Sequence, residues 1–122
     1  MTHWIEIAPP HSLVLVVGSK NADIPPSLHG ALIAATSSCI AIGCKAEDDG
    51  LSRLALESAD ITYFDIEPAF VTQLETPEGV VAIETVFGER VAEHPTPSST
   101  TRIIIWVNDD MEPDEILIAF GG

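Results

Sequence analysis

Short apolar runs broken by Pro, Gly, Asp and Asn make up this chain, and they favour strands over helices. Met1 to Ala8 predicts a first strand with Trp4 as an anchor, stopped by Pro9-Pro10. His11 to Gly18 (HSLVLVVG) is apolar at successive positions, as in a strand covered on both faces. Ser19 to Pro26 is a loop. The next stretch, residues 26–36, is ambiguous. Ser27 is placed to cap a short helix with Leu28, Leu32 and Ala35 on one face, while Gly30 weakens it. A short helix or an irregular crossing is expected there, with further strand as the alternative.

Ser38 to Lys45 and Leu51 to Glu57 flank an Asp-Gly pair, which predicts a hairpin with Ile40 and Ile42 on one face and Leu54 and Leu56 on another. Ala59 to Glu67 is a further candidate strand. Ala69 to Glu75 then leads into Thr76-Pro77-Glu78-Gly79, a tight turn in which Pro presets φ and Gly relieves the exit. Val80 to Phe87 is its expected hairpin partner, with Val81, Ile83, Thr85 and Phe87 on one face and Glu84 on the other. Residues 93–100 are polar and read as a mobile loop. Arg102 to Val107 is the most β-branched apolar run, with Trp106 and Phe87 expected to anchor the core. Asn108 to Glu115 is an acidic connection, and Ile116 to Phe120 is the last strand. About eight short strands with turns at this spacing predict an all-β, antiparallel β-sandwich in one domain.

Length and composition agree with that picture. A chain of 122 residues with 46% apolar content buries a core without staples. Charge changes it more. Nineteen Asp and Glu stand against five Lys and Arg, a net charge of −14. Such a field repels nucleic acid and anionic membrane and attracts a basic protein partner, although acidity also serves solubility. The acids form two blocks. Glu57 to Glu89 holds eight acids and no Lys or Arg, and the last fifteen residues hold five acids and no base. The carboxylates expected to meet a partner are Asp65, Glu67, Glu75, Glu78, Asp109, Asp110, Glu112 and Asp114, with Glu84 and Glu89 at the margin. The two blocks make one face if the last strand pairs near the middle of the chain.

No motif of a known chemistry stands out. His3, His11, His29 and His94 form no HxH or HExxH pair and have no cysteine at zinc-finger spacing, and no metal or cofactor is expected. The run from Asp109 to Glu115 lacks the ligand register and glycine of a calcium loop. Neither a phosphate loop nor a nucleophile elbow is present. The odd spacing of Cys39 and Cys44 puts them on opposite faces of a strand, as buried reduced thiols. With no secretory pattern at the start and no apolar run long enough for a bilayer, this predicts the cytoplasm.

The order of features resembles the family of small bacterial inhibitors of the competence-associated DNA-entry nuclease. The shared pattern is a strand into Pro25-Pro26, a small-residue crossing, a strand from Cys39, and Phe70-Val71. A glycine-led strand with Gly79, Ile83 and Glu84 follows, then Arg90, a proline loop and a strand carrying Trp106. The resemblance implies a sandwich and a role in blocking a nuclease, and carries no inhibitory residues over. The terminal Gly121-Gly122 is similar to the tail of ubiquitin-like sulfur carriers, but the chain is longer than that fold and lacks its central helix. The favoured reading is a non-enzymatic acidic domain that binds a basic nuclease or toxin as an inhibitor or immunity protein. The second is a small enzyme or ligand-binding barrel with an ionisable group among Tyr63, His29, His94 and Cys44 in a deep pocket. The third is a homo-oligomer joined through an exposed edge at residues 116–120.

Overall fold

The computed structural model describes residues 3–26, 28, 30–45, 47–59 and 67–121. Ten strands lie within them: β1 (Ile5–Ile7), β2 (Leu13–Val17), β3 (Ile33–Ala35), β4 (Cys39–Gly43), β5 (Ser52–Ser58), β6 (Phe70–Glu75), β7 (Val80–Glu84), β8 (Arg90–Pro95), β9 (Thr100–Val107) and β10 (Glu115–Phe120). They form two five-stranded sheets, ordered β1-β5-β10-β9-β6 and β3-β4-β2-β7-β8. The all-β sandwich is therefore as the sequence implies. Every ladder is antiparallel except β5 with β10, which run parallel.

Alternating β-branched and leucine side chains build the core between the sheets. Val14, Val16, Ile40, Ile42, Val81 and Ile83 come from one sheet, and Leu54, Leu56, Leu74, Ile103, Ile105, Ile116 and Ile118 from the other. Burying each such side chain contributes about 1.5–3 kcal/mol before entropy is counted. A second, smaller cluster explains why β2 is apolar on both faces. Leu15, Val17, Cys39, Ala41 and Ala82 point away from the main core and are covered by Ala22 and Leu28 of the crossing segment. Cys39 thus belongs to this outer cluster and Cys44 to the main core, so the two free thiols lie on opposite sides of the sheet.

Several local expectations are corrected. Residues 33–35 form β3, so the short helix near 26–36 gives way to an irregular crossing that ends in a strand; Ser27 lies outside the described residues. Gly30 at φ 83° breaks the helical path. The Asp-Gly signal does not close a hairpin, because β4 and β5 lie in different sheets. The chain between them is a corner with a single 3-10 turn at Glu47–Asp49, and Gly50 takes φ 123° there. The turn at 76–79 forms as expected, with the Gly79 N–H donating to the Thr76 carbonyl over 3.0 Å. Yet β6 and β7 also belong to different sheets, so it too is a corner.

The hairpin partner of β7 is β8, whose second half, residues 93–95, falls in the stretch expected to be a loop. Its turn puts Phe87 into solvent rather than the core, and Trp106 is half-buried on the outer face of its sheet. Strand β10 is paired on both sides, by β5 and β9, so it offers no edge to a second copy. The candidate strand at 59–67 falls mostly outside the described residues.

Candidate functional site

One end of the sandwich brings together the acidic loop 108–114 and three of the five large apolar residues that are exposed among the described residues. It is built from the loop 108–114, the corner 44–51, the turn 10–12 and the turn 85–88. The loop 108–114 is held by its own polar side chains. The Asp109 carboxylate accepts the N–H groups of Glu112 (2.8 Å) and Met111 (2.9 Å). Asn108 accepts the N–H groups of Asp114 and Glu115, each at 3.1 Å, and donates to the Asp114 carboxylate at 2.7 Å. Those donors, Glu112 first and then Met111, hold the Asp109 carboxyl below its ordinary value of 3.8. The loop is also tied across to the corner. Lys45 N–H donates to the Pro113 carbonyl (2.9 Å) and Arg53 N–H to the Asp114 carbonyl (2.7 Å). This stitching sets β5 and β10 side by side and parallel.

Pro9-Pro10 shapes the facing wall. The chain turns so sharply that His11 and Ser12 both take φ 58°, a left-handed conformation that costs a non-glycine residue about 1–2 kcal/mol. Ser12 is held there from both sides: its N–H donates to the Pro9 carbonyl (3.1 Å), and its carbonyl accepts the Cys44 N–H (2.9 Å). The His11 ring meets the edge of Phe87, with centroids 5.4 Å apart. Between this wall and the acidic loop opens a cleft of about 480 Å³ with Leu13, Leu28, Leu32, Gly43, Cys44 and Met111 among its lining residues. A second hollow of about 340 Å³ continues past Ala31, Leu32 and Asp110 to Ala69, Phe70 and Val107. A polar hollow on the far side of the loop is lined by Lys45, Asp49, Asn108, Asp109, Glu112 and Asp114.

Exposed large apolar residues concentrate here. Leu51 is 56% exposed, Phe87 74% and Met111 82%, and all three belong to the connections that make up this end.

The eight expected contact carboxylates divide. Asp109, Asp110, Glu112 and Asp114 occupy the loop, and Glu67 precedes β6 at the same end, where Ala69 N–H donates to the Ile105 carbonyl (2.7 Å). Glu75 pairs with Thr100 at the opposite end of β9, and Glu78 follows it. Seven residue steps along β9 at roughly 3.3 Å each separate the two groups by about 23 Å. They do not make one face. Asp65 lies outside the described residues. Asp48 and Asp49 join the end at 108–114, a placement hidden in the sequence by their look of hairpin-turn residues. Phe87 and Met111 were hidden likewise, because exposure of an apolar residue in a turn leaves no periodic trace. Among the described residues four ion pairs form, and the only one on the loop 108–114 is Lys45 with Asp114 at 3.8 Å.

Little here suggests covalent chemistry. Burial pushes the Cys44 thiol up to about 12, and burial together with the charge of Glu84 does the same for Cys39. Neither is a thiolate near neutrality. Among the described residues no three His, Cys, Asp or Glu are placed to hold a metal ion. His94 is exposed on β8 beside the Phe120 ring, away from the cleft, and Tyr63 and His29 lie outside the described residues. No helix among the described residues is long and apolar enough to cross a membrane.

No family model matches the chain, and no curated protein does. Two solved structures share its fold. One is ComJ from Bacillus subtilis, described as an inhibitor of the DNA degrading activity of NucA; the TM-score is 0.68 at 15% identity, over 100% of this chain and 98% of that one. The other is the product of crocagin biosynthetic gene J, with a TM-score of 0.57 at 12% identity, over 99% and 96% of the two chains. At such identities the likeness is one of fold, and it spans the whole sandwich.

Proposed function

We propose that this protein binds a basic protein partner through the acidic end around residues 108–114, and that the partner is a nuclease whose activity it blocks. The observation that carries the reading is the union, at one end, of Glu67, Asp49, Asp109, Asp110 and Glu112 with exposed Leu51, Phe87 and Met111. Carboxylates arrayed on a rigid end can occupy a groove built for phosphates, and charge complementarity then gives rapid, salt-sensitive capture. Exposed aromatic and methionine side chains supply the apolar contact that charge alone does not. The fold shared with ComJ supports the same reading, since that protein is described as an inhibitor of a DNA-degrading activity. The protein acts in the cytoplasm on this reading, as its reduced thiols suggest.

The test is retention on the immobilised chain at low salt, followed by assay of what is retained. A DNA-degrading protein held by the wild type, released by high salt and inhibited by stoichiometric chain is the expected result. Retention that is equal for wild type and for Asp49→Lys/Glu67→Lys/Asp110→Lys/Glu112→Lys contradicts the surface. A retained basic protein whose activity is untouched contradicts inhibition.

A further inference from the structure

We infer that the groove beneath Asp110 receives one extended segment of the basic partner, with an apolar side chain in the cleft and Lys or Arg neighbours against the rim. This rests on the reading above and specifies where the partner is held.

The cleft of about 480 Å³ and the adjoining hollow of about 340 Å³ share Ala31, Leu32 and Asp110. They therefore form one trough that runs from the turn at His11, before β2, to Phe70 at the start of β6, with Asp110 shared between its two parts. Each part has the size of a site that seats a side chain or a small ligand. Much of the lining is apolar: Leu13, Leu28, Leu32 and Met111 in the cleft, Phe70 and Val107 in the adjoining hollow. Asp110 is the carboxylate that lines both parts of the trough, and Asp109 and Glu112 face the polar hollow across the loop, where they add to the negative field. The one lysine in reach, Lys45, opens onto the polar hollow across the loop and pairs with Asp114.

These features select the occupant. An anionic ligand meets the Asp110 carboxylate and the negative field of the loop behind it. A purely apolar segment strips water from Asp110 and returns no hydrogen bond, and a purely cationic one leaves the apolar walls unfilled. A segment that alternates basic and apolar residues satisfies both, because neighbours on an extended chain point to opposite sides. The strained backbone at His11 and Ser12, fixed by its hydrogen bonds, keeps one wall preformed, and Met111 on the other is a flexible contact that adapts to what enters.

The experiment is a titration of the isotope-labelled full chain, followed by amide NMR, with the peptides acetyl-GKLKG-amide, acetyl-GKGKG-amide and acetyl-GELEG-amide. The first peptide should move the amides of Leu13, Ala31, Leu32, Cys44, Asp110 and Met111, with a dissociation constant about tenfold below that of the second. The third should move nothing. Raising salt from about 50 to 500 mM should weaken the first. Ala31→Trp, at an exposed position shared by both hollows, should weaken the first peptide about tenfold with the thermal midpoint held. Shifts centred on Glu75 and Glu78, equal binding of the first two peptides, or full affinity in Ala31→Trp would each overturn the inference. Should Ala31→Trp bind the peptide fully while the nuclease is still blocked, the groove falls and the inhibitor reading stands. Should peptide binding map to the groove while no nuclease is blocked, the groove stands and that reading falls.

Discussion

At Gly18 the end of one sheet passes close to the end of the other. A Cβ built on it would lie 1.9 Å from the Glu75 carbonyl oxygen, so β2 and β6 can end side by side only over a hydrogen. Gly18→Ala must push the sheets apart, and a loss of about 2–3 kcal/mol in chemical denaturation is expected, at the upper end for an overpacked core. A loss under about half a kcal/mol would mean that the sheets slide freely at this end. The buried thiols offer a second check. Their folded values near 12 lie above the ordinary 9.0, so the folded state favours the protonated form. The stability this gives is complete below pH 9 and is lost as pH rises from there toward 12. Cys39→Ala/Cys44→Ala should therefore flatten the alkaline limb of the unfolding profile, and the wild-type thiols should resist alkylation until the chain unfolds.

At the scale of elements, the turns were legible and their pairing was not. Thr76-Pro77-Glu78-Gly79 and Asp49-Gly50 mark reversals because Pro and Gly meet local φ demands, and those demands are satisfied equally by a hairpin and by a corner between sheets. What decides is contact far away in the chain. Thr76, fully buried, donates to the Ser98 carbonyl (2.7 Å) and shares a hydrogen bond with Thr101 (2.8 Å), which fixes that corner onto the start of β9. Thr76→Val keeps the shape and strands those partners, with an expected cost of about 1–3 kcal/mol. The apolar strands β2, β4, β9 and β10 were legible from their alternation or their length of apolar run. The second half of the edge strand β8 was not, since Glu93, His94 and Pro95 are exposed and only Val91 and Ala92 pack on the core. The acidic loop was visible as a run of carboxylates, yet its internal order was not. Because Asp109 is held below 3.8 by two N–H groups, its contribution is present above that pH and is lost as pH falls through the lower folded value. Asp109→Asn should remove this acid-side dependence, seen as a smaller difference in thermal midpoint between pH 5 and pH 2, a window that follows from the lowered carboxyl.

For the whole molecule, the fold separates what the linear charge pattern joins. Carboxylates 75 and 78 lie at one end of β9 and those of 108–114 at the other, so net charge describes the field and topology chooses the surface. The cleft, the exposed Phe87 and Met111 and the unpaired carboxylates meet at one end because β2, β4, β7 and β9 all open their connections there. The sequence showed the acids and the apolar strands, but convergence of distant loops is a property of strand order, which periodicity does not carry. This end is the surface proposed to meet the partner. The most direct measurement is inhibition of the partner nuclease's DNA degradation, titrated with wild type, with Asp49→Lys/Glu67→Lys/Asp110→Lys/Glu112→Lys, and with Glu75→Lys/Glu78→Lys. The first reversed set should raise the half-inhibiting concentration by about a hundredfold or more, while the second should change it less than about threefold. Equal losses from both sets, or a larger loss from Glu75→Lys/Glu78→Lys, would contradict that surface.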